Sequence, residues 1–495
     1  MTDWTEFIKC QRGLLLAPAG HGKTTAIADC LLQCSEKSCQ LILTHTHAGI
    51  ASLRKKFQQK NIPSSKYQLE TITGFAQRYV LGFLGSSVLP DETDKNYFSA
   101  AIEKCNVLMQ SKLVQTVIQS SYDGVFVDEY QDCTIDQHNM IMELAYDLPL
   151  HILGDPLQGI FSFESKPLVN FDKDLGLFTR FDNLCYPWRW HDSNRELGQE
   201  ILHIRKCLEN QETINLQNNP NIGLFVVALF EDEQENFRKF ATLLENHDSD
   251  SLLVICPSYR EMDRYGRTVL KGKLNDRITI KQRIDYRNRL TIIDAIDSGA
   301  DFSCARKIDT FVEQCITKRN IKRIARFYDI LSTFHINMTE LNKWIDKKGN
   351  RFIPRKKNNA LYSAKMLEKF SNFETSPTLE TLQDLIAFVI SLPGIKKYHR
   401  DLYSLINKSF KIAHTNNISM LEAMKRIKDR MRHQGRKIQG RIIGTTLLTK
   451  GLEFDTVFIW NAHKFEDAKN FYVAISRACK KLILLTSSNV IQLKK

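Results

Sequence analysis

The sequence lacks the patterns that are typical of membrane-spanning, secreted, disordered or collagen-like proteins. No apolar run approaches the roughly 18–20 residues that a membrane-spanning helix needs. The first ten residues carry Asp3 and Glu6 and show no basic-then-apolar leader pattern. Hydrophobic residues make up 43% and charged residues 25%, which excludes a disordered or collagen-like chain. We therefore expect a soluble, cytoplasmic protein.

Paired cysteines are also missing. The twelve cysteines include no C-x-x-C pair, and they are scattered rather than arranged as a disulfide framework. Cys30, Cys34 and Cys39 lie near one another, but zinc and iron–sulfur sites need tighter, paired spacing. The sequence therefore predicts reduced thiols on a helix face and a loop rather than a metal site.

The positive charge is concentrated in one segment. Because 495 residues exceed the roughly 250–300 at which a single core stops growing, we expect two to four domains or subdomains. Residues 301–440 hold 28 Lys and Arg against 13 Asp and Glu, a net charge of +15, so the rest of the +13 chain sums to −2. A solvated helix face would explain the dense run from Lys425 to Arg441 by itself. The concentration of the whole imbalance in one segment favours a surface that binds a polyanion.

Short apolar runs alternate with helical patterns through most of the chain. Such runs are typical of buried strands in a parallel sheet. Residues 301–440 lack them and show helical periodicity at Thr378–Leu392 and Ile418–Met431. The sequence therefore predicts an α/β fold interrupted by a basic helical segment. The runs are Leu14–Leu16, Leu41–Leu43, Val125–Val127, His151–Leu153, Leu252–Ile255, Arg441–Ile443, Val457–Ile459 and Leu482–Leu485.

A phosphate-binding loop, A-P-A-G-H-G-K-T at residues 17–24, follows the first apolar run and precedes a helical pattern. Gly20 and Gly22 allow backbone N–H groups to approach phosphate oxygens, and the helix N-terminus adds partial positive charge. We expect Lys23 to reach the β- and γ-phosphates of a nucleotide and Thr24 to hold Mg²⁺. A glycine-rich turn without a ligand is the alternative, but the G-K-T ending after a strand favours phosphate binding.

Two adjacent carboxylates, Asp128 and Glu129, end the run Val125–Val127. Phosphoryl transfer needs a carboxylate on Mg²⁺ and a group that orients or deprotonates water. Asp128 fits the first role and Glu129 the second. An acidic pair at a strand end is a weak signal alone, but together with Lys23 it predicts an enzyme that hydrolyses nucleoside triphosphates.

The stretch D-E-Y-Q-D at residues 128–132 resembles the D-E-[FY]-Q-D motif of UvrD-like superfamily 1 DNA helicases. Other blocks resemble further motifs of that family and occur in the same order. Each block alone could be a plain turn or a surface charge, but their common order excludes chance. These blocks are T-H-T-H-A at 44–48, T-I-T-G-F at 71–75, G-D-P-L-Q-G-I-F at 154–161, W-R at 188–189, T-K-G-L-E-F at 449–454 and F-Y-V-A-I-S-R-A at 471–478.

The resemblance implies two RecA-like P-loop domains with parallel sheets, each interrupted by a mainly helical insertion. It also implies an ATP-dependent DNA helicase that moves 3′-to-5′ on single-stranded DNA, a tailed duplex or DNA ends. We expect the first motor domain at residues 1–80 and 121–190, with a short helical insertion at 81–120. The second motor domain is expected at 191–261 and 441–495, with the basic helical insertion at 262–440.

Site residues follow from the resemblance, position by position. Gln158 is expected to sense the γ-phosphate, Arg189 to contact it, and Arg477 to act as an arginine finger, so the implied catalytic residues are Lys23, Glu129, Gln158, Arg189 and Arg477. Implied contacts to ATP and Mg²⁺ are Ala17, Gly20, Gly22, Lys23, Thr24, Thr25, Asp128 and, near the ribose, Glu453. Implied DNA contacts are Thr44, Thr46, Phe75, Phe161 and Phe163, to which the basic run adds Lys425, Arg426 and Arg430.

The sequence departs from the family pattern in two respects. The family usually has a Gln about twenty residues before the phosphate loop that reads adenine, and here Gln11 is too close, so other nucleoside triphosphates are expected to serve. His47, Thr73 and Leu447 replace an Asn and two His residues at positions that couple DNA binding to hydrolysis in relatives.

Two functions therefore stay open at this level. One is a DNA helicase that displaces a strand from a tailed duplex. The other is a DNA-end-sensing NTPase that activates a partner without processive unwinding. The short core is also similar to the helicase subunit of the Gabija anti-phage systems, which implies an OLD-family nuclease with a TOPRIM domain as partner.

Overall fold

The structure, a computed structural model, describes most of the chain and forms two compact units. The larger unit comprises Met1–Thr291 with Gln434–Lys495, and the smaller comprises Ile292–His433. None of the helices in the described part is long and apolar enough to cross a membrane. The described residues are 2–91, 94, 96–160, 166–182, 184–257, 259–262, 268–271, 280, 290–292, 300–317, 322–334, 336–346, 351–356, 359–395, 400–434 and 440–493.

The strands of the larger unit form two six-stranded sheets and two small antiparallel pairs. In chain order they are β1 Arg12–Leu16, β2 Gln40–Thr44, β3 Tyr67–Thr71, β4 Gly124–Val127, β5 Leu150–Gly154, β6 Thr179–Phe181, β7 Ile214–Asn215, β8 Leu224–Ala228, β9 Leu252–Ile255, β10 Tyr259–Met262, β11 Thr268–Lys271, β12 Thr291–Ile292, β13 Arg441–Gly444, β14 Phe454–Ile459, β15 Ala478–Thr486 and β16 Val490–Ile491.

The first sheet has the order β3-β2-β4-β5-β1-β6, and all its strand pairs are parallel. Every residue of β2, β4 and β5 is buried, as expected for strands covered on both faces. The carboxyl ends of parallel strands meet at one edge of a sheet, and ligands of α/β sheets bind there. This edge therefore gathers the phosphate loop after β1, Thr44 at the end of β2, Asp128 after β4 and Asp155 after β5.

The second sheet has the order β12-β13-β9-β14-β15-β8, and its strands from β13 to β8 are parallel. Two predicted site residues lie where strands of this sheet begin: Glu453 directly precedes β14, and Arg477 directly precedes β15. All eight apolar runs singled out in the sequence lie in strands, and the two parallel sheets confirm the predicted α/β fold. The four predicted segment boundaries stay a prediction.

The helices flank the strands in the larger unit and form most of the described part of the smaller one. They are α1 Thr5–Lys9, α2 Lys23–Gln33, α3 His47–Gln59, α4 Ile72–Leu84, α5 Tyr97–Met109, α6 Lys112–Ser121, α7 Ile135–Leu144, α8 Trp188–His191, α9 Arg195–Glu209, α10 Glu233–Asn246, α11 Ala300–Thr317, α12 Arg323–Ser332, α13 Met338–Leu341, α14 Ala360–Thr375, α15 Leu379–Ser391, α16 Arg400–Asn416, α17 Met420–Gln434, α18 Thr446–Thr449 and α19 Ala468–Ile475. Single 3₁₀ turns occur at Ser64–Lys66, Ser86–Val88, Tyr130–Asp132, Pro156–Gln158, Pro220–Ile222 and Ala462–Lys464.

The smaller unit is a helical bundle, as the periodicity of residues 301–440 predicts. Its apolar positions form one buried cluster that runs from Phe302 to Ile427. Helix α15 begins with a capping box in which Thr378 and Thr381 exchange hydrogen bonds. The carboxylate of Asp309 on α11 accepts hydrogen bonds from the first backbone N–H groups of α17, at 2.8 and 2.9 Å. The Asp309 hydrogen bonds therefore fix where the last helix of the bundle, α17, starts.

The twelve cysteines all lie in the described part of the chain, and none of them forms a disulfide. Seven are buried, and burial raises the pKa of the Cys105 thiol to about 12 and that of Cys304 to about 11. Cys185 is exposed. Among the described residues there is no group of three or more His, Cys, Asp or Glu side chains that could hold a metal ion.

Candidate active site

A cleft of about 570 Å³ lies in the larger unit, between loops that follow strands of the first sheet and segments that precede strands of the second. The first sheet contributes the phosphate loop, the ends of β2 and β4, and Gln158. The second contributes Lys450 to Glu453 and Arg477. The lining is mostly polar and charged, so the cleft suits a polyanionic ligand rather than an apolar one.

The phosphate loop adopts a conformation that depends on its glycines. Gly20 and Gly22 have φ angles of 73° and 88°, which favour glycine, and a Cβ atom on Gly20 would lie 2.6 Å from the Cβ of Arg189. Lys23 opens helix α2, and its ammonium donates to the carbonyl oxygens of Ala17 at 2.8 Å and Pro18 at 3.2 Å. The loop therefore holds the Lys23 ammonium against the backbone that wraps the cleft. Thr25, in the first turn of α2, lines the same wall.

Asp128 and Thr24 meet at the floor of the cleft. The buried Asp128 carboxylate accepts a hydrogen bond from the Thr24 hydroxyl and another, at 3.0 Å, from the backbone N–H of Glu129. Burial and the neighbouring Glu129 raise the pKa of Asp128, while Lys23 and the hydrogen bonds oppose the rise. A hydroxyl beside a carboxylate is an all-oxygen pair of the kind that Mg²⁺ prefers, so these residues fit the predicted metal site.

Glu129 has a left-handed backbone with φ of 57°, an uncommon conformation for a non-glycine residue. The Gln131 side-chain amide donates a hydrogen bond to its carboxylate. Burial alone would raise the pKa of Glu129, but the charges of Lys23, Lys450 and Arg477 outweigh burial and lower it. Glu129 is therefore an ionised carboxylate inside the cleft, which is the state that a water-orienting group needs.

Groups from the two sheets contact one another directly across the cleft. An Arg477 guanidinium nitrogen donates to the Gln158 side-chain oxygen at 3.2 Å. The Lys450 ammonium contacts the Asp132 carboxylate and the Gln158 carbonyl oxygen. Arg477 is fully buried, and burial together with Arg189 lowers its pKa to about 10, so it stays protonated at neutral pH. The predicted arginine finger and the predicted γ-phosphate sensor thus lie side by side.

Arg189 links the phosphate loop to the second sheet. Its backbone N–H donates to the Gly20 carbonyl at 3.0 Å, and its guanidinium donates to the Glu453 carboxylate at 2.9 Å and to the Ser476 carbonyl at 2.5 Å. The Arg189 charge lowers the pKa of Glu453. Arg189 and Glu453 therefore lie at the predicted nucleotide site, but they are bound to each other there.

Trp188 is the exposed aromatic residue of the cleft. Its side chain is 58% exposed, and a Cβ atom on Gly22 would lie 3.3 Å from its ring. The ring centroids of Tyr186 and His191 are 4.7 and 5.5 Å away. In the sequence, Trp188 is marked only by the W-R block at 188–189, and its position at the phosphate loop suits a nucleobase platform.

The structure places the predicted DNA contacts of the first sheet in different surroundings. Thr44 is buried at the end of β2, and Thr46 caps α3 by accepting from the Gly49 backbone N–H at 3.0 Å; both line the cleft. The structure corrects the prediction for Phe75, because this ring is fully buried in the core, 4.4 Å from the Tyr79 ring, and offers no face to a base. Phe161 and Phe163 lie outside the described residues.

The residues of the basic run differ in their exposure and in their ion pairs. Lys425 is half-buried and Arg426 is exposed on α17, where Arg426 pairs with Glu422 at 3.1 Å. Lys428, in the same run, forms an ion pair with the fully buried Asp301, so its charge stabilises the bundle rather than facing a ligand. The side chain of Arg430 lies outside the described residues.

Three buried residues that the sequence analysis did not assign support residues that line the cleft: Asp155, Arg205 and Tyr472. Arg205 on α9 forms an ion pair with Asp155 at 2.8 Å, and the Tyr472 hydroxyl accepts from the Ala19 backbone N–H at 3.0 Å. Asp155 and Tyr472 stand inside quoted blocks, but Arg205 belongs to none. Its one signal was a charged residue on the apolar face of α9, beside Ile201 and Leu208.

Comparison with known proteins agrees with this geometry. The UvrD/REP helicase N-terminal domain matches residues 96–175, and the UvrD-like helicase C-terminal domain matches residues 201–489, more than half of the chain. The Gabija protein GajB of Bacillus cereus (strain VD045) is 25% identical over 401 residues, which cover 79% of this chain and 68% of that protein.

Two ATP-dependent helicase/nuclease subunits match shorter stretches. The one from Oenococcus oeni (strain ATCC BAA-331 / PSU-1) is 36% identical over 64 residues, 13% of this chain and 5% of that protein. The one from Alkaliphilus metalliredigens (strain QYMF) is 24% identical over 180 residues, 35% of this chain and 14% of that protein. The chain thus spans only a small part of these two relatives.

A solved complex of an Arterivirus nonstructural protein 10 (helicase) with DNA covers 96% of this chain and 60% of its own, at 10% identity and a TM-score of 0.35, a score too low to define a shared fold. The family identity rests instead on the two matching domains, and the phosphate loop, the acidic pair and the two sheets agree with it. The chain belongs to the UvrD-like family of ATP-dependent DNA helicases.

Proposed function

We propose that the chain hydrolyses ATP in this cleft and uses the reaction to move 3′-to-5′ along single-stranded DNA. The proposal rests on contacts between the two sheets. Arg477 and Lys450 precede strands of the second sheet, and they contact Gln158 and Asp132 of the first. A cleft built from both sheets changes shape when its ligand changes, so hydrolysis shifts one sheet against the other. If both sheets grip DNA, each cycle becomes a step along it.

The proposed chemistry divides between charge stabilisation and water activation. The Lys23 ammonium binds the β- and γ-phosphate oxygens, and the Arg477 and Arg189 guanidinium groups stabilise the charge that develops on the transferred phosphoryl group. The ionised Glu129 carboxylate orients the attacking water and accepts its proton. Thr24 and Asp128 hold Mg²⁺, which supplies charge neutralisation to the phosphates when bound.

Trp188 is proposed to stack on the nucleobase. Stacking on an aromatic face is tolerant of base identity, since every base has a π-face. This supports the use of other nucleoside triphosphates besides ATP. Hydrolysis of ATP, GTP, CTP and UTP at equal concentration tests this point: rates within about tenfold of each other are expected. Trp188→Ala is expected to raise KM for all four without changing their order.

The experiment that tests the proposed function measures phosphate release from ATP and strand displacement in the same tube. Single-stranded DNA, a blunt duplex, a 3′-tailed duplex and a 5′-tailed duplex serve as the four DNA forms. Stimulated release with displacement of the 3′-tailed duplex alone is the expected outcome. Glu129→Gln is the control, because it keeps Lys23 and the phosphate loop for ATP binding and removes the carboxylate that activates water.

Displacement of the 5′-tailed duplex alone would reverse the proposed direction. Stimulation by duplex ends without displacement of either tailed duplex would exclude the translocase and leave the DNA-end-sensing NTPase. The sequence feature behind that second function is the replacement of coupling residues at His47, Thr73 and Leu447.

We also propose that the chain acts in anti-phage defence with an OLD-family nuclease that carries a TOPRIM domain. The similarity to the Gabija protein over 401 residues supports this role. Phage plaque counts on cells that express the chain with its genomic neighbours test it. Protection that is lost in Lys23→Ala and in a nuclease-site variant of the partner is expected, whereas protection by Lys23→Ala would separate the defence role from hydrolysis.

A further inference from the structure

A continuous set of buried polar contacts connects the phosphate loop to the arginine finger by way of a residue outside the sequence motifs. From this geometry we infer that Arg205 and Tyr472 are positioning residues, which fix the orientation of the Gln158 side chain and of the phosphate loop for hydrolysis. The inference rests on the proposed role of Gln158 in sensing the γ-phosphate. It assigns a role to Arg205, to which no motif gives one.

The first part of the argument concerns the Gln158 amide. Its Nε2 group donates to Asp155 Oδ2 at 2.7 Å, and the same oxygen accepts from the Arg205 guanidinium at 2.8 Å. Because the amide N–H is used in this way, the Gln158 oxygen is left to accept from Arg477, at 3.2 Å. Arg205 therefore fixes which way the amide points by fixing the carboxylate that holds it. An amide rotated by 180° would place its N–H groups against Arg477.

The Asp155 carboxylate is held from several directions. It is fully buried, its Oδ1 atom accepts from the Leu157 backbone N–H at 3.3 Å, and its own N–H donates to the Gln131 side-chain oxygen at 2.9 Å. A buried carboxylate without a cation is strongly disfavoured, and Arg205 supplies the cation. Without Arg205 the carboxylate is expected to move towards water and to release the Gln158 amide.

The second part concerns Tyr472 and the phosphate loop. The Tyr472 hydroxyl accepts from the Ala19 N–H at 3.0 Å, and the Arg205 guanidinium lies 4.9 Å from the Tyr472 ring centroid and interacts with its hydroxyl. Tyr472 is fully buried on α19, five residues before Arg477. The short segment from Tyr472 to Arg477 therefore contacts the phosphate loop and also supplies the arginine finger. Arg205 interacts with Tyr472, which contacts the phosphate loop, and with Asp155, which holds the Gln158 amide.

A purely structural role would require only that the buried space be filled. A positioning role requires in addition that charge and hydrogen-bond direction be kept. The two are separated by measuring kcat, KM and nucleotide affinity, since a misplaced catalytic group lowers kcat while binding that the other loop contacts provide is retained. Misplacement by about 1 Å can reduce the rate by about 100-fold.

The test uses the full chain with ATP and saturating single-stranded DNA, together with Arg205→Gln, Arg205→Lys and Tyr472→Phe. Arg205→Gln is expected to lower kcat about 10- to 100-fold with the affinity for a fluorescent ATP analogue within about threefold. Arg205→Lys, which keeps the charge, is expected to recover part of the loss. Tyr472→Phe removes a single hydroxyl without a buried charge, so it folds and is expected to lower kcat about 5- to 20-fold. The matched control is Glu209→Gln, which removes the exposed partner of Arg205 at 2.8 Å and is expected to leave kcat unchanged.

A double-mutant comparison decides between the two roles. If Arg205 acts through Gln158, then Arg205→Gln added to Gln158→Ala lowers kcat by less than about twofold beyond Gln158→Ala alone. Independent, multiplicative losses would overturn the inference, as would wild-type kcat in both Arg205→Gln and Tyr472→Phe. Wild-type kcat in Gln158→Ala would instead remove the proposed role of Gln158 itself, so the two failures are distinguishable.

Discussion

Charged residues are held in opposite ways in the cleft of the larger unit and on the helices of the smaller one. In the cleft, Lys23, Arg189, Lys450 and Arg477 are buried or nearly so, and each contacts a named carboxylate or carbonyl oxygen. On α17 of the smaller unit, Arg426 is exposed and pairs with Glu422 one turn away. A cation in the cleft is therefore fixed in place by its hydrogen-bond acceptors, whereas an exposed cation on α17, such as Arg426, contributes to a field.

This comparison predicts how substitutions of buried and of exposed charges will differ in their effects. Buried charges are costly unless paired, so their substitution should produce large, specific effects. Exposed pairs are worth about 0–1 kcal/mol, so their effects should be small and additive and should depend on salt. The following predictions test this difference, beginning with the largest effect.

Arg477→Ala is expected to lower DNA-stimulated ATP hydrolysis by about 1,000-fold or more, because arginine fingers contribute about 10³–10⁵ to the rate. Steady-state phosphate release with saturating single-stranded DNA measures the loss. The matched control is Arg426→Ala on α17, which should keep the wild-type rate. Arg477→Lys keeps the buried charge and serves as the variant to use if the alanine variant unfolds. A wild-type rate in Arg477→Lys would remove the finger assignment.

Lys428→Ala is expected to destabilise the smaller unit by about 3 kcal/mol, because it leaves the buried Asp301 without its cation. Urea unfolding of the full chain, followed by fluorescence and by protease sensitivity of the smaller unit, measures the change. Lys425→Ala, one turn earlier on α17, is the control and should cost less than about 0.5 kcal/mol. Equal effects of the two variants would show that Lys428 belongs with the exposed charges.

Because His151 lies buried on β5, we expect the free energy of unfolding of the larger unit to fall at acid pH. The smaller unit should not show this dependence. Burial lowers the pKa of His151 to about 4, so the unfolded chain binds the proton more readily than the folded one. The stabilisation is present above pH about 6.5 and is lost as the pH falls towards 4, by about 2 kcal/mol between pH 7 and pH 5. Urea unfolding at both pH values measures it.

His151→Leu should remove that part of the pH dependence. The half-buried His45, whose pKa desolvation lowers to about 3, should retain the remainder in the larger unit. The control is His414→Leu, which changes an exposed histidine of the smaller unit that lies 3.5 Å from Glu380. An unchanged pH dependence in His151→Leu would assign the acid sensitivity of the larger unit to other groups.

The smallest expected effect concerns DNA binding by α17. Lys425→Gln with Arg426→Gln should reduce the slope of log affinity against log salt by about 1.4 for single-stranded DNA, since each lost phosphate contact contributes about 0.7. Fluorescence anisotropy over a salt series measures the slope. The control pair Arg238→Gln with Lys480→Gln, both exposed in the larger unit, should leave the slope unchanged. An unchanged slope in the α17 pair would make Lys425 and Arg426 an ordinary solvated face.

The sequence predicted the fold and the charged groups of the cleft through two different signals. Apolar runs located the strands because strands buried on both faces admit few polar residues, as in β2, β4 and β5. Short motifs located Lys23, Asp128 and Arg477 because each motif fixes its residue next to a strand: Lys23 and Asp128 follow strands of the first sheet, and Arg477 precedes a strand of the second. That Asp128 and Thr24 are hydrogen-bonded follows from this register.

What could not be predicted lies in contacts between segments that are distant in the chain. Arg205 and Asp155 are fifty residues apart, and neither spacing nor periodicity connects them. Phe75 was predicted to contact DNA because its motif block resembles one of the family, but its helix turns the ring into the core. Lys428 looked like its neighbours in the basic run, and only the packing of α17 against Asp301 on α11 separates it from them.

The thiols have a practical consequence for labelling. Because thiolates are the reactive form, a buried thiol with a raised pKa, such as that of Cys105 or Cys304, reacts slowly with maleimides at neutral pH. The exposed Cys185 is then the first site of attachment, three residues from Trp188 at the cleft. A dye attached at Cys185 is therefore expected to report nucleotide exchange at the cleft in real time.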